Sequence, residues 1–125
     1  MNRDELAGAR ILVVEDELMI AMLLEDMLDE LGCALVAAVG NVEAALDRIA
    51  ADRIDAAILD VNLAGGKGDR VAEALIARGV PFLIATGAHP DSLTWEGYRG
   101  RQILRKPFQL EGLASGLART LRPDS

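Results

Sequence analysis

The sequence predicts an α/β fold: a three-layer sandwich in which a five-stranded parallel sheet carries helices on both faces. Two observations predict it. Short apolar runs alternate with amphipathic stretches along the 125 residues, the βαβ pattern that builds parallel sheets. Within each short run the apolar residues are consecutive rather than alternating, as strands covered on both sides require.

The runs are Ile11 to Val14, Ala34 to Val39, Ala56 to Leu59, Phe82 to Ala85 and a weaker one at Gln102 to Leu104. After the first, Ile20, Leu23, Leu24, Met27, Leu28 and Leu31 recur at i, i+3, i+4 and i+7, with Glu25, Asp26, Asp29 and Glu30 off that stripe; this is an amphipathic helix, ended by Gly32. A second helix is expected over Val42 to Ala51 with Asn41 as its N-cap. A third runs from Asp69 to Arg78 and stops at Gly79, with Pro81 just beyond. The stretch Asp91 to Tyr98 reads as a short helix cut back by Gly97 and Gly100. The last helix carries Leu110, Leu113, Leu117 and Leu121 on one side. Residues 1 to 8 and 122 to 125 are expected to be loose ends, so the chain reads as one domain over 1–125 with its core at about 9–121. Crossovers are expected to be right-handed.

Composition narrows the function. Hydrophobic residues make up 51% of the chain and aromatics 3%, so the core is aliphatic. The balance of 20 acids against 13 bases, net −7, repels phosphate backbones, and nucleic-acid binding is not expected. The N-terminus shows no signal peptide and no apolar stretch reaches the ~18 residues a bilayer span needs. Cys33, the single cysteine, reads as a small buried hydrophobe and fits a reducing cytoplasm.

In open α/β sheets function gathers at the carboxyl ends of the strands. The first run ends in Glu15, Asp16 and Glu17, the third in Asp60, the fourth in Thr86 and the fifth in Lys106 and Pro107. Carboxylates brought this close repel by several kcal/mol at ~4 Å and intermediate dielectric. Lys106 offsets one charge and a divalent cation would offset two. Hard oxygen donors without His or Cys favour Mg²⁺, which keeps open positions for phosphoryl oxygens. Asp60 is then a carboxylate nucleophile toward phosphorus, with Lys106 and the Thr86 hydroxyl placed for the transferred oxygens. Each residue alone has a plainer reading, as a turn, cap or surface residue; only the phosphoryl reading accounts for all four strand ends together.

These residues closely resemble the receiver domain of two-component response regulators, through ILVVEDE, AAILDVNL, FLIATG and ILRKPF over residues 9 to 121. The resemblance implies a flavodoxin-like strand order 2-1-3-4-5. It makes Asp60 the phosphoacceptor, Asp16 a direct Mg²⁺ ligand, Glu15 a ligand through water, and Asn62 the donor of a backbone carbonyl to the metal. Thr86 and Lys106 match the phosphate-contacting hydroxyl and ammonium, and Pro107 the family proline that often follows a cis bond. It implies a signalling switch rather than an enzyme, taking its phosphoryl group from a histidine kinase or histidine phosphotransferase. Ile103 stands where many members carry a switching aromatic, and Ala64 where Pro is common. FLIATG with Ile103 resembles the alphaproteobacterial "FAT GUY" subgroup, whose members typically draw on kinases of the HWE or related class; Ala88 and His89 depart from its pattern.

With residues after 122 too few for an effector domain, output is expected through binding, by a face within residues 87 to 121. A receiver cut from a hybrid histidine kinase is an alternative. A flavodoxin-like cofactor carrier would need a Gly-rich phosphate loop where Glu15, Asp16 and Glu17 stand. An aspartate-nucleophile phosphatase of the haloacid-dehalogenase type would place its Asp-x-Asp after the first strand rather than the third. His89 reads as a loop residue, and Trp95 and Tyr98 as packing of the short helix, with a partner patch as the alternative.

Overall fold

The computed structural model describes residues 6–61, 68–87 and 96–122. The elements are β1 (Arg10–Val14), α1 (Leu18–Glu30), β2 (Ala34–Val39), α2 (Val42–Ala51), β3 (Ala56–Asp60), α3 (Asp69–Ala77), β4 (Phe82–Thr86), β5 (Ile103–Arg105) and α4 (Leu110–Leu121). All strand pairs are parallel and the sheet order is β2-β1-β3-β4-β5, as the resemblance implied. Four α-helices, not five, stand among the described residues. Between β4 and β5 the described residues hold a 3₁₀ turn, Glu96–Tyr98. Gly97 lies inside that turn and Gly100 follows it at φ +80°, so the backbone there does not propagate. Residues 91–95 of the expected helix, with Trp95, lie outside the described residues, as do Ala64 and His89.

The three central strands explain the unbroken apolar runs. β3 and β4 are buried at every position and β1 at all but Arg10. Alternate residues serve opposite faces. Ile11, Val13, Ile58 and Leu83 pack under Leu24 and Leu28 of α1 and Leu113 and Leu117 of α4. Leu12, Val14, Leu59 and Ile84 pack under Val42 and Ile49 of α2 and Val71 and Leu75 of α3. The edge strands β2 and β5 are only partly covered, which is why the fifth run was weak in sequence. It forms at 103–105 rather than 102–104, and β3 and β4 each extend one residue further, to Asp60 and Thr86.

In α1 the apolar stripe is narrower than its sequence suggests. Ala21, Leu24, Leu28 and Leu31 are buried, with Ile20 and Met27 packed at the margin, but Leu23 is exposed. At 3.6 residues per turn Leu23 points about 100° away from Leu24. It joins Leu18, Met19 and Met22 in an exposed apolar patch, with Leu18 at 72% and Met19 at 80% accessibility.

Local signals set the helix ends. Asn41 Oδ1 accepts a hydrogen bond from the Ala44 N–H at 2.8 Å and caps α2. After α1, the Gly32 N–H donates to Asp29 O and the Cys33 N–H to Leu28 O; after α3, the Gly79 N–H donates to Ile76 O and the Val80 N–H to Leu75 O. These are Schellman motifs, closed by Gly32 at φ +81° and Gly79 at φ +70°. A Cβ on Gly79 would meet nothing within 4 Å, so the cost of a side chain there is the left-handed backbone alone. Gly79→Ala is expected to destabilise the fold by about 1–2 kcal/mol, read as a lower urea midpoint with an unchanged m-value.

Candidate functional site: an acidic cluster at the strand tips

The parallel register delivers four strand ends to one edge. Glu15 and Asp16 follow β1, Asp60 ends β3, Thr86 ends β4, and Lys106 follows β5, its N–H donating to Thr86 O at 2.9 Å. The Lys106–Pro107 peptide is cis. One carboxylate oxygen each of Glu15, Asp16 and Asp60 lie within 4.8 Å of one another. Lys106 Nζ is 2.7 Å from Glu15 Oε1, 3.6 Å from Asp60 Oδ2 and 3.7 Å from Glu17 Oε1. The sequence-predicted residues 15, 16, 60 and 106 therefore share one neighbourhood, with Thr86 beside them in the backbone register. Asn62 lies outside the described residues.

Burial grades the cluster. Glu15 and Asp60 are each 4% exposed and Thr86 is fully buried, whereas Asp16 and Glu17 face solvent. Glu15 Oε2 accepts from the Glu17 N–H at 3.0 Å, which ties the β1 tip to the start of α1. Glu15 Oε1 pairs with the Lys106 ammonium, and this buried oxygen has no other hydrogen-bond partner among the described residues. Burial pushes the Glu15 carboxyl up; Lys106 and the Glu17 N–H pull it down, Asp60 pushes it up again, and the net shift is upward. For Lys106, burial pulls down, but Glu15 and the charges of Asp60 and Glu17 outweigh it, leaving the ammonium raised. With every group ionised the described residues of the site hold four carboxylates against one ammonium.

That donor set fits a hard divalent cation. It offers only oxygen ligands, two buried and one solvent-facing, and includes a buried carboxylate oxygen with unused acceptor capacity. Such a site suits an ion that keeps part of its water shell.

Two contributors escaped the sequence reading. Glu17 was legible only as the third member of an acidic triplet, yet it reaches Lys106. Gly68 closes the β3–α3 connection: its N–H donates to Val61 O at 3.0 Å, and a Cβ on it would lie 2.8 Å from Val61 Cα and 3.1 Å from Asp60 O. Its φ is −63°, so glycine is required by crowding and not by backbone geometry. The start of α3 thus abuts the strand end that carries Asp60. Beside the cluster, Ile20, Leu23, Pro107 and Phe108 line a groove of about 330 Å³ with Glu17 and Lys106 at its rim; the signal for it was the apolar residues of α1 lying off the buried stripe.

The remaining candidates take plain roles. Tyr98 is buried against the α2/α3 layer, and its hydroxyl is pushed up to about 12 by burial and the charge of Asp69. Cys33 is half-buried, and burial raises its thiol pKa, which disfavours the reactive thiolate. Ile103 lies partly exposed on the edge strand. Among the described residues no helix is long and apolar enough to cross a membrane.

Comparison with known proteins gives a consistent picture. The model of the response regulator receiver domain matches residues 11–118. The solution structure of SdrG from Sphingomonas melonis Fr1 is 46% identical, with 98% of this chain and 100% of that chain covered and a TM-score of 0.80. The BeF3-activated conformation of SdrG from Pseudomonas melonis Fr1 is 49% identical over 93% of this chain and 98% of that one, TM-score 0.78. The receiver domain of the sensor histidine kinase PA1611 from Pseudomonas aeruginosa PAO1, with a magnesium ion coordinated in its active site cleft, is 27% identical over 92% and 98%, TM-score 0.81. A search of curated proteins found no match. With the fold, the strand-tip chemistry and a family match over most of its length in agreement, this chain belongs to the response regulator receiver domain family.

Proposed function

We propose that this protein is a phosphorylation-controlled signalling switch in which Asp60 is the phosphoacceptor. The observation that carries the assignment is the convergence of Glu15, Asp16, Asp60 and Lys106 at one sheet edge. A carboxylate oxygen of Asp60 forms the new O–P bond as the P–N bond of a donor phosphohistidine breaks and the imidazole leaves. Lys106 neutralises charge on the incoming phosphoryl oxygens, and the Thr86 hydroxyl donates a hydrogen bond to one of them. Glu15, Asp16 and Asp60 hold Mg²⁺, with Asn62 offering its backbone carbonyl. When bound, the ion withdraws charge from the phosphoryl oxygens and offsets repulsion among the carboxylates.

Lys106 reaches the phosphoryl group by trading its 2.7 Å contact with Glu15 for one on the Asp60 side, already 3.6 Å away. That exchange is the first structural event of switching. Phosphorylation adds roughly −1.5 to −2 charge and strong acceptors, and the shift in population follows from contacts that exist in only one state. With Ile103 in the position of the usual aromatic, the response runs through Lys106, Thr86 and the segments attached to them, within residues 87 to 121.

The partner is a histidine kinase or histidine phosphotransferase. The apolar patch of Leu18, Met19, Met22 and Leu23, together with the groove at Pro107 and Phe108, opens beside the acidic cluster and supports docking of the phosphodonor there. The subgroup suggested by FLIATG rests on that motif together with Ile103. The protein acts as one receiver domain over this chain, in the cytoplasm, with self-directed phosphoryl chemistry and no turnover of an external substrate.

Three outcomes test this reading. Mass spectrometry after incubation with acetyl phosphate and Mg²⁺ is expected to show one phosphoryl group on the native chain and none on Asp60→Ala; label persisting on the variant sinks the assignment. Lys106→Ala is expected to fold and to accept label about 10- to 1000-fold more slowly, without the native shift in amide NMR resonances on activation with beryllofluoride. Metal ligands must be deprotonated, and Glu15 holds its proton to a higher pH than the ordinary value of 4.5. Mg²⁺ affinity is therefore expected to weaken as pH falls toward the raised value, before ordinary carboxylates titrate. Calorimetric titrations across that range check it, with Glu15→Gln removing the higher-pH part of the loss.

A further inference from the structure

Glu17 is the acid at the strand tips that the phosphoryl chemistry described above does not use. It occupies the N-cap position of α1, where its side chain caps no helix N–H. Its Oε1 stands instead 3.7 Å from Lys106 Nζ. The favourable interaction of an acid with a helix start accounts for the charge but not for this direction. Glu17 also lies outside the trio Glu15, Asp16 and Asp60 whose oxygens converge, so it is not among the groups that suit a dication. Its side chain is 63% exposed, against 13% for that of Lys106. Glu17 is therefore the solvent-side neighbour of the ammonium, and both stand at the rim of the groove lined by Ile20, Leu23, Pro107 and Phe108.

That position puts Glu17 beside any phosphodonor that engages Lys106. A phosphoryl oxygen bonded to the ammonium at about 2.8 Å is no further than about 6.5 Å from Glu17 Oε1 while the 3.7 Å contact holds. This separation is inside the ~8 Å screening length of physiological salt. A free donor that arrives as a dianion is repelled there roughly twice as strongly as a monoanion. A phosphohistidine presented by a protein is in a different position, because a Lys or Arg carried beside it meets Glu17 and turns the same charge into an attraction. Glu17 thus separates donors by the charge they bring to the rim. The bond formed at Asp60 is the same for all of them.

We propose that Glu17 is a specificity-determining residue of the phosphoacceptor site, one that selects phosphodonors by charge and acts against free anions of the acyl phosphate type. The inference rests on Asp60 as the phosphoacceptor. Its test follows labelling by mass spectrometry at neutral pH with Mg²⁺ and either acetyl phosphate, a dianion, or phosphoramidate, a monoanion. Asp60 forms an O–P bond with each, releasing acetate from the first and ammonia from the second. Glu17→Gln removes no side-chain helix cap and is expected to keep the native amide NMR spectrum. It is expected to take label from acetyl phosphate about three- to tenfold faster at low ionic strength, and from phosphoramidate about two- to threefold faster. Both gains are expected to vanish at about 1 M sodium chloride, where the screening length falls to ~3 Å. Asp29→Asn neutralises an exposed acid about 18 Å further along α1 and is expected to leave both rates as they are. Equal gains for the two donors, or gains that survive salt, show a loosened Lys106 rather than selection by charge and overturn the proposal. A labelled variant no faster than the native chain overturns it too, and leaves the role of Asp60 standing. A native chain that takes label from neither donor overturns both.

Discussion

One ammonium among four carboxylates is the constraint on which the site depends. Among the described residues Lys106 is the cation paired with Glu15, Glu17 and Asp60, and it sits 2.7 Å from the most buried of them. The fold accepts the remaining negative charge because the two solvent-facing acids, Asp16 and Glu17, stay hydrated, while the two buried ones share Lys106. Burial strengthens every interaction in such a cluster, attractive and repulsive alike. The result is a centre short of positive charge at rest and ready to respond to any change in the charge on Asp60.

The same economy shapes the surroundings. Between Arg10 and the tips, the central strands spend their side chains on packing, and their polar groups gather at the tips. Glu15 accepts from the α1 N-terminus through the Glu17 N–H, Thr86 O receives the Lys106 N–H, and Gly68 draws α3 against Val61. The acidic cluster is thereby connected by single hydrogen bonds, one to a Glu15 side-chain oxygen and two between backbone groups, to the neighbouring segments. Chemistry at the edge and position of the adjoining helices and loops are parts of one construction.

Much of this was legible in the sequence. The apolar runs of β1, β3 and β4 gave their own identity because burial on both faces demands unbroken Val, Ile, Leu and Ala. Asn41, Gly32 and Gly79 marked helix ends because their side chains, or lack of one, have a single job there. Residues 15, 16, 60, 86 and 106 could be gathered because a parallel sheet brings strand ends together whatever their separation along the chain. What escaped depends on distance rather than pattern. A triplet of acids does not say which one will take the lysine, and only the coordinates put Glu15 ahead of Asp60. Leu23 matched the i, i+3 template yet lies outside, since a periodicity reports spacing and not the width of the face its neighbours cover. Gly68 stood among other glycines of a loop, with no sequence mark of the crowding that requires it. Of the short helix expected over Asp91 to Tyr98, the described part is a 3₁₀ turn that holds Gly97 and is followed by Gly100 in the left-handed region.

Gly68 has a mechanical consequence. Its main chain sits against Val61 and the carbonyl of Asp60, so the end of β3 and the start of α3 touch directly, bypassing the six residues that connect them along the chain. A backbone displacement at the strand end is therefore handed to the helix as through a gear tooth. A single methyl group at the point of mesh would force the two parts out of alignment.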